Sequence, residues 1–121
     1  MRISILLPYK ENFSPEYPGA VSLFVYETTK ISKYKKNITI FGNTEFKKKF
    51  NLNYENIFLK KSLFSSQTKN YVSQFIKLET KNKSSIIEIH NRPSYIHIIN
   101  SKLKDRILTL YFHNDPLSMQ G

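Results

Sequence analysis

Short apolar runs rich in β-branched residues alternate along this chain with segments whose apolar residues recur every three to four positions. The first pattern predicts buried strands, and the second predicts amphipathic helices that pack against them. A chain that alternates in this way folds as a parallel sheet with helices on both faces. Strands are predicted over residues 2–7, 37–41, 57–59, 85–89 and 107–112, and helices over residues 19–33, 66–81 and 94–103.

The order of these elements limits the topology further. Because crossovers between parallel strands are right-handed, the simplest arrangement is a Rossmann-like, doubly wound α/β sheet in the order 3-2-1-4-5. A length of 121 residues suits one domain, so we expect residues 1–121 to form a single unit. The last predicted strand is followed by only a few residues, where such a domain normally continues with a helix. We therefore expect this unit to be part of a longer protein.

The helical spacing also predicts which side chains face the sheet. For the first helix they are Val21, Phe24, Val25, Thr28 and Ile31. For the second helix they are Tyr71, Val72, Phe75, Ile76 and Leu78.

The composition is strongly basic, with a net charge of +10 and no cysteine. Such a charge suits nucleic acid or an anionic membrane face, and of the two we favour the membrane. An AT-rich coding sequence would produce the same bias, so both explanations stay open. The lack of cysteine and of any apolar run near the ~18 residues of a membrane span leads us to expect a cytoplasmic protein, with peripheral contact at the membrane face as a further option.

Polar residues follow the predicted first, fourth and fifth strands, and ligands bind at the carboxyl ends of strands in doubly wound sheets. The residues concerned are Glu11, His90, Asn91, Arg92, His113, Asn114 and Asp115. Gly19 opens the first helix, where a glycine lets a phosphate reach free backbone N–H groups. The alternatives are that the histidines merely end their strands and that Gly19 is a turn residue.

Several common chemistries lack their motifs. The chain has no G-x-G-x-x-G for a dinucleotide, no phosphate-binding P-loop and no G-x-S-x-G nucleophile turn. Asp105 and Asp115 are the only aspartates, so no D-x-D motif is present, and the response-regulator pattern of acidic residues is missing too. His90, His113 and Asp115 lack the spacing of a helical metal-binding pair. We expect neither a metal ion nor a bound cofactor.

Three segments together resemble a known enzyme family. They are I-L-L-P-Y-K-E-N-F followed by Y-P-G-A, then I-I-E-I-H-N-R-P, then L-Y-F-H-N-D-P-L-S-M-Q-G. They are similar to glycosyltransferase family 4, the bacterial surface-polysaccharide and lipopolysaccharide transferases with the two-domain GT-B fold. The resemblance implies an N-terminal, acceptor-side domain of a retaining enzyme that works without a metal ion. It places the donor motif E-x7-E in a C-terminal half, so this domain alone is expected to be inactive.

The resemblance also assigns roles to single residues. His113 matches the histidine near the donor sugar, and Gly19 matches the loop glycine near the donor phosphates, although Pro18 and Ala20 flank it where many members have paired glycines. Contacts to the acceptor are implied for His90, Asn91, Arg92, Glu11, Asn114 and Asp115. The implied partners are a nucleotide-sugar donor and a glycan or lipid-linked acceptor.

Two other interpretations of its function are consistent with the sequence. One is a small basic α/β module that binds nucleic acid or an anionic surface without catalysis, although the chain lacks a recognition-helix signature or an RNP-type aromatic motif. The other is a protein that keeps the transferase fold without the activity.

Overall fold

The computed structural model describes residues 1–59 and 66–113. Along the chain the elements are β1 (Ile3–Leu6), α1 (Ala20–Lys30), a short 3-10 helix (Lys35–Asn37), β2 (Ile38–Gly42), β3 (Tyr54–Asn56), α2 (Gln67–Asn82), β4 (Ile86–His90), α3 (Ser94–Lys102) and β5 (Ile107–Tyr111).

All five strands run parallel in one sheet, in the order β3-β2-β1-β4-β5. The predicted fold class and strand order are thereby confirmed. β1 lies at the centre, where Ile3 is in register with Ile38 of β2 on one side and with Ile86 of β4 on the other. A central strand of this kind is covered by helices on both faces, which explains why β1 is apolar apart from the buried Ser4.

The core has one apolar cluster on each face of the sheet. On one face, α1 places Val21 and Val25 against Ile5 and Ile40. On the other face, α2 and α3 bury a larger cluster that is rich in aromatic side chains. That cluster contains Leu6, Phe41, Ile57, Tyr71, Val72, Phe75, Ile87, Ile89, Tyr95, Ile99 and Leu103. Helices therefore cover both faces, as the doubly wound prediction requires.

The first helix is shorter than predicted and is rotated relative to the predicted face. It ends at Lys30, and Ile31 is 81% exposed. Thr28 also faces outward, while Ser22 and Thr29 are buried. Small hydroxyl side chains fit closely against the sheet, so which residues of α1 are buried depends on their size as well as on their polarity. In α2, the buried residues Tyr71, Val72 and Phe75 agree with the prediction, and the partly buried Ile76 and Leu78 pack against the same cluster.

The third strand lies before its predicted position. Backbone pairing to β2 runs through Tyr54, Glu55 and Asn56, a polar segment that suits a strand at the edge of a sheet. The predicted run at 57–59 follows this strand. Ile57 is buried and donates its N–H to the Gly42 carbonyl at 2.7 Å, whereas Phe58 is 79% exposed. The apolar residues at 57–59 therefore lie just after the edge strand and not within it.

Among the described residues, β5 is packed on its α2 and α3 side, whereas its other face is largely exposed apart from a contact between Phe24 and Tyr111. Leu108 and Leu110 pack against the α2 and α3 side, while Ile107 and Tyr111 on the opposite face are 63% and 42% exposed. An apolar surface therefore flanks β5 on the α1 side of the sheet.

A buried carboxylate fastens the amino end of the sheet. Glu79 of α2 is fully buried and accepts hydrogen bonds from the Ser4 hydroxyl at 2.7 Å, the Ser84 amide at 2.8 Å and the Ser84 hydroxyl. The Arg106 guanidinium approaches the carboxylate at 3.9 Å and donates to the Glu79 carbonyl at 3.3 Å. This network joins α2 to β1 and to the segments that enter β4 and β5. No helix among residues 1–59 and 66–113 has both the length and the apolar character needed to cross a bilayer.

Candidate functional site at the carboxyl edge of the sheet

The loops after β1 and β4 diverge at the carboxyl edge of the sheet. β1 and β4 are neighbours, yet β1 leads to α1 on one face and β4 leads to α3 on the other. Such a divergence leaves a crevice beyond the strand ends, which is where open α/β sheets bind their ligands. Most of the predicted site residues lie around this point.

Two histidines meet at the ends of β4 and β5. Nδ1 of His90 lies 2.7 Å from Nε2 of His113. On the other side of the His90 ring, Nε2 lies 2.9 Å from Oε1 of Glu88, two residues earlier on the same face of β4. This contact is a close approach and not an aligned hydrogen bond, so Nε2 of His90 has no hydrogen-bond partner among the described residues. Glu88, His90 and His113 thus form a continuous line from the sheet to the strand ends.

Aromatic rings enclose the two imidazoles. Tyr111, the partner of His90 in the β4–β5 register, stacks on the His90 ring at 5.3 Å. Phe24 of α1 presents its edge to His113 at 4.8 Å and also contacts Tyr111. Partial burial, followed by the neighbouring His90, lowers the pKa of His113 below its ordinary value, and the Glu11 and Glu88 carboxylates oppose the shift. His113 is therefore held mainly as a neutral imidazole near pH 7.

Asn91 holds His113 in place through its side chain and backbone. Its φ of 57° is in the left-handed region, which asparagine tolerates better than most residues. This conformation directs its Oδ1 to accept the His113 amide N–H at 2.7 Å. The backbone N–H of Asn91 donates to the Tyr111 carbonyl at 2.9 Å. The end of β5 is thereby tied to the turn that follows β4.

Arg92 lies on the α3 side of the same edge. Its Nη1 donates to the Asn91 carbonyl at 2.8 Å, and its charge partly offsets the burial that raises the pKa of the Tyr95 hydroxyl. That hydroxyl accepts a hydrogen bond from the Tyr9 amide at 3.1 Å. The turn after β4 and the loop after β1 are therefore linked through Tyr95.

The loop after β1 brings a carboxylate to the start of α1. Lys10 has a φ of 65°, so the chain turns sharply and Glu11 points back towards the helix. Oε1 of Glu11 accepts the Ser22 amide N–H at 3.0 Å. A β-carbon on Gly19 would lie 1.8 Å from that oxygen, which explains why glycine stands there although its φ of −68° suits any residue. The Glu11 carboxylate thus occupies the helix N-terminus where a phosphate was expected.

The structure therefore groups the predicted residues unequally. His90, Asn91 and His113 are in direct contact, Arg92 is bonded to Asn91, and Glu11 lies over Gly19. His90 is only 1% exposed, so the acceptor contact expected of it stays a prediction that requires the ring to become uncovered. Asn114 and Asp115 lie outside the described residues. Within the described part of the chain, no group of three or more His, Asp or Glu side chains is arranged so that it could hold a metal ion.

No known protein family, curated protein or solved structure matches this chain. The site residues and their contacts are therefore what bear on function.

Sequence reasoning missed several members of the site. The helical spacing predicts Phe24 as a core residue, and Tyr111 lies within the predicted fifth strand, yet both rings contact His113. Glu88 carried a usable signal, because a carboxylate in the middle of I-I-E-I-H needs a partner on its own face of the sheet. The nearest partner at a spacing of two is His90. The cap that Glu11 provides to Ser22 had no comparable signal.

Proposed function

We propose that this chain is the acceptor-side domain of a retaining glycosyltransferase that works without a metal ion. It would help to move a sugar from a nucleotide-sugar donor to a glycan or lipid-linked acceptor at the cytoplasmic membrane face. The observation that carries the proposal is the pairing of His113 with His90 at 2.7 Å, at the edge of a doubly wound sheet where ligands bind. The similarity of the β4 and β5 ends to glycosyltransferase family 4 supports it.

The role proposed for His113 follows from its position and charge. Its ring is partly exposed at the strand end, and its lowered pKa favours the neutral form. A neutral imidazole can hydrogen-bond a sugar hydroxyl without adding positive charge next to a sugar that develops oxocarbenium character. His113 would then position the donor sugar between the two domains.

Departure of the nucleoside diphosphate develops negative charge, which a helix N-terminus stabilises when it is free to do so. In this conformation the Ser22 amide is bonded to Glu11. A donor phosphate near Gly19 would have to displace the Glu11 carboxylate, which is at the end of a flexible side chain. We therefore propose that Glu11 moves away when the donor binds.

The acceptor side of the proposed site is the turn after β4. Asn91 is fixed by its bonds to β5, whereas the Arg92 guanidinium has N–H groups beyond the one given to the Asn91 carbonyl. A guanidinium in this place suits a hydroxyl-rich or phosphate-bearing acceptor. Arg92 is therefore the residue that we expect to contact the acceptor first.

The test is sugar transfer by the protein expressed from its complete reading frame, with a panel of nucleotide-sugars and with a metal chelator present. His113→Ala should lower kcat by at least about 10²-fold, the scale seen when one positioned polar group is lost. His97→Ala, at an exposed position on α3, is the matched control and should retain turnover. Near-normal turnover by His113→Ala would remove the role assigned to this residue.

Assays on the same preparation distinguish the proposed transferase from the alternative, a binding module without catalysis. Transfer from none of the donors, together with binding of random DNA that weakens steeply with salt, would favour a basic nucleic-acid module instead.

A further inference from the structure

Glu88 has no assigned role, yet it stands at one end of the line that leads to His113. Its side chain is 31% exposed and borders a cleft of about 170 Å³ between α1 and the sheet. The ring of His90 is almost completely buried between Glu88 and His113, so neither of its nitrogens has access to bulk solvent. The short contacts that connect Glu88 to His113 therefore run through the His90 ring.

The hydrogen-bonding capacities of these groups determine which atom donates and which accepts at each step from Glu88 to His113. A carboxylate offers only acceptors, and an unprotonated Nε2 of His90 would repel the Glu88 oxygen 2.9 Å away, so we assign the proton to Nε2 although the two atoms are not aligned as a hydrogen bond. A neutral imidazole has one donor and one acceptor, which leaves Nδ1 of His90 as the acceptor. Nε2 of His113, 2.7 Å away, must then donate. For a neutral His113 ring, the remaining nitrogen, Nδ1, has no proton.

We propose that Glu88 is a positioning residue that acts through His90 to fix the tautomer of His113, so that Nδ1 of His113 is presented as a hydrogen-bond acceptor. This inference deepens the proposed function and rests on it for its chemical meaning. Under that function, Nδ1 accepts a hydrogen bond from a hydroxyl group of the sugar. The arrangement resembles the way in which a carboxylate orients the histidine ligands of metal sites by bonding their second nitrogen.

The surroundings of His113 favour this polarity. The carboxylates that act on it are Glu11 in the loop after β1 and Glu88 on β4, and the neighbouring His90 acts in the opposite direction. Phe24 from α1 and Tyr111 from β5 contribute rings to its packing. Of the two carboxylates, Glu88 is the one in contact with Nε2 of His90, so it favours a proton on that nitrogen.

The experiment is imidazole nitrogen NMR on the ¹⁵N-labelled 121-residue chain at about pH 8, above the ordinary histidine pKa of ~6.5. Long-range proton–nitrogen correlations show which ring nitrogen carries the proton, and a coupling across the His90–His113 hydrogen bond shows which ring donates. No nucleotide-sugar is present, so the result is independent of whether the protein transfers sugar. His97, exposed on α3, serves as the internal reference.

In the unmodified chain we expect single tautomers, with protons on Nε2 of both His90 and His113. Glu88→Gln keeps the shape but can donate as well as accept, so His113 should become a mixture of tautomers with intermediate nitrogen shifts. Glu55→Gln, on exposed β3, should change neither ring. A well-dispersed amide spectrum establishes that each variant folds.

Two results would overturn the proposal. One is a His90 that donates from Nδ1 to an unprotonated Nε2 of His113 in the unmodified chain, a measurement that needs no variant. The other is a folded Glu88→Gln variant in which His113 keeps the same single tautomer.

Discussion

The Glu11 carboxylate occupies the space that any β-carbon at position 19 would need, because that carbon would lie 1.8 Å from Oε1 of Glu11. The same oxygen caps the Ser22 amide at the start of α1. A side chain at position 19 would therefore displace the Glu11 carboxylate and remove the cap of α1 at the same time.

Gly19→Ala should destabilise the domain by about 0.5–2 kcal/mol, the usual cost of losing a helix N-cap. The backbone at Gly19 suits alanine, so the loss should come from displacement of Glu11. Urea denaturation of Gly19→Ala, Glu11→Ala and the double variant measures the coupling. Because both single changes remove the same bond, the double variant should lose clearly less than the sum of the two. Additive losses would show that Gly19 acts through something other than Glu11.

Glu79→Ala should be the most damaging change at the amino end of the sheet. It removes the acceptor of the Ser4 and Ser84 bonds and leaves the largely buried Arg106 with Asp105 as its remaining carboxylate partner. A loss of roughly 3 kcal/mol or more is expected, because the Ser4 hydroxyl and both Ser84 donors lose their buried acceptor at about 1–3 kcal/mol for each unsatisfied group. Ser4→Ala, which removes one donor only, should cost about 1 kcal/mol. Equal losses in chemical denaturation for the two variants would contradict the central position of Glu79.

Asn91 serves the site in two ways that substitutions can separate. Asn91→Gly keeps the left-handed backbone but loses the Oδ1 acceptor of the His113 amide, whereas Asn91→Ala loses the acceptor and strains the backbone as well. Hydrogen exchange at the His113 amide should accelerate in both variants. The free energy of unfolding should fall further for alanine, by about 1 kcal/mol relative to glycine. A protected His113 amide in Asn91→Gly would show that Oδ1 does not hold the end of β5.

The stability of the domain should depend on pH through His113. Its folded pKa lies below the ordinary value, mainly because of burial, so the unfolded chain takes up a proton where the folded chain does not. The free energy of unfolding should therefore fall as the pH decreases through about 6.5 and level off once the folded ring is also protonated. His113→Gln should remove this contribution, and His97→Gln, at an exposed position, is the comparison. A His113→Gln profile parallel to that of the unmodified chain would contradict the assignment.

Much of the fold could be predicted because its strongest signals are local. Apolar runs at β1, β4 and β5 and the spacing within α2 are properties of short segments, and right-handed crossovers then fix the strand order. The contact between His90 and His113 follows from that order, since each histidine ends one of two neighbouring strands. β3 was misplaced because an edge strand needs few apolar residues, and the buried Ile57 lies just after it.

The finer geometry of the site depends on conformations that residue types do not signal. Glu11 reaches the α1 terminus only because Lys10 takes a left-handed turn, and nothing about a lysine indicates that conformation. The rotation of α1 that brings Phe24 to His113 depends on how closely the small residues Ser22 and Thr29 pack against the sheet. These details follow from packing across elements that are distant in sequence.

The central position of β1 also has a consequence for how the protein emerges from the ribosome. β1 precedes both of its neighbours along the chain, and these follow at residues 38–42 and 86–90, the latter only after α2. A nascent chain can therefore assemble β1, β2 and β3 with α1 while the other edge of β1 has no partner. An open apolar strand edge is a template for pairing with other chains. Slow translation between β3 and β4 should thus favour aggregation of the nascent protein, and chaperones that shield strand edges should act during that interval.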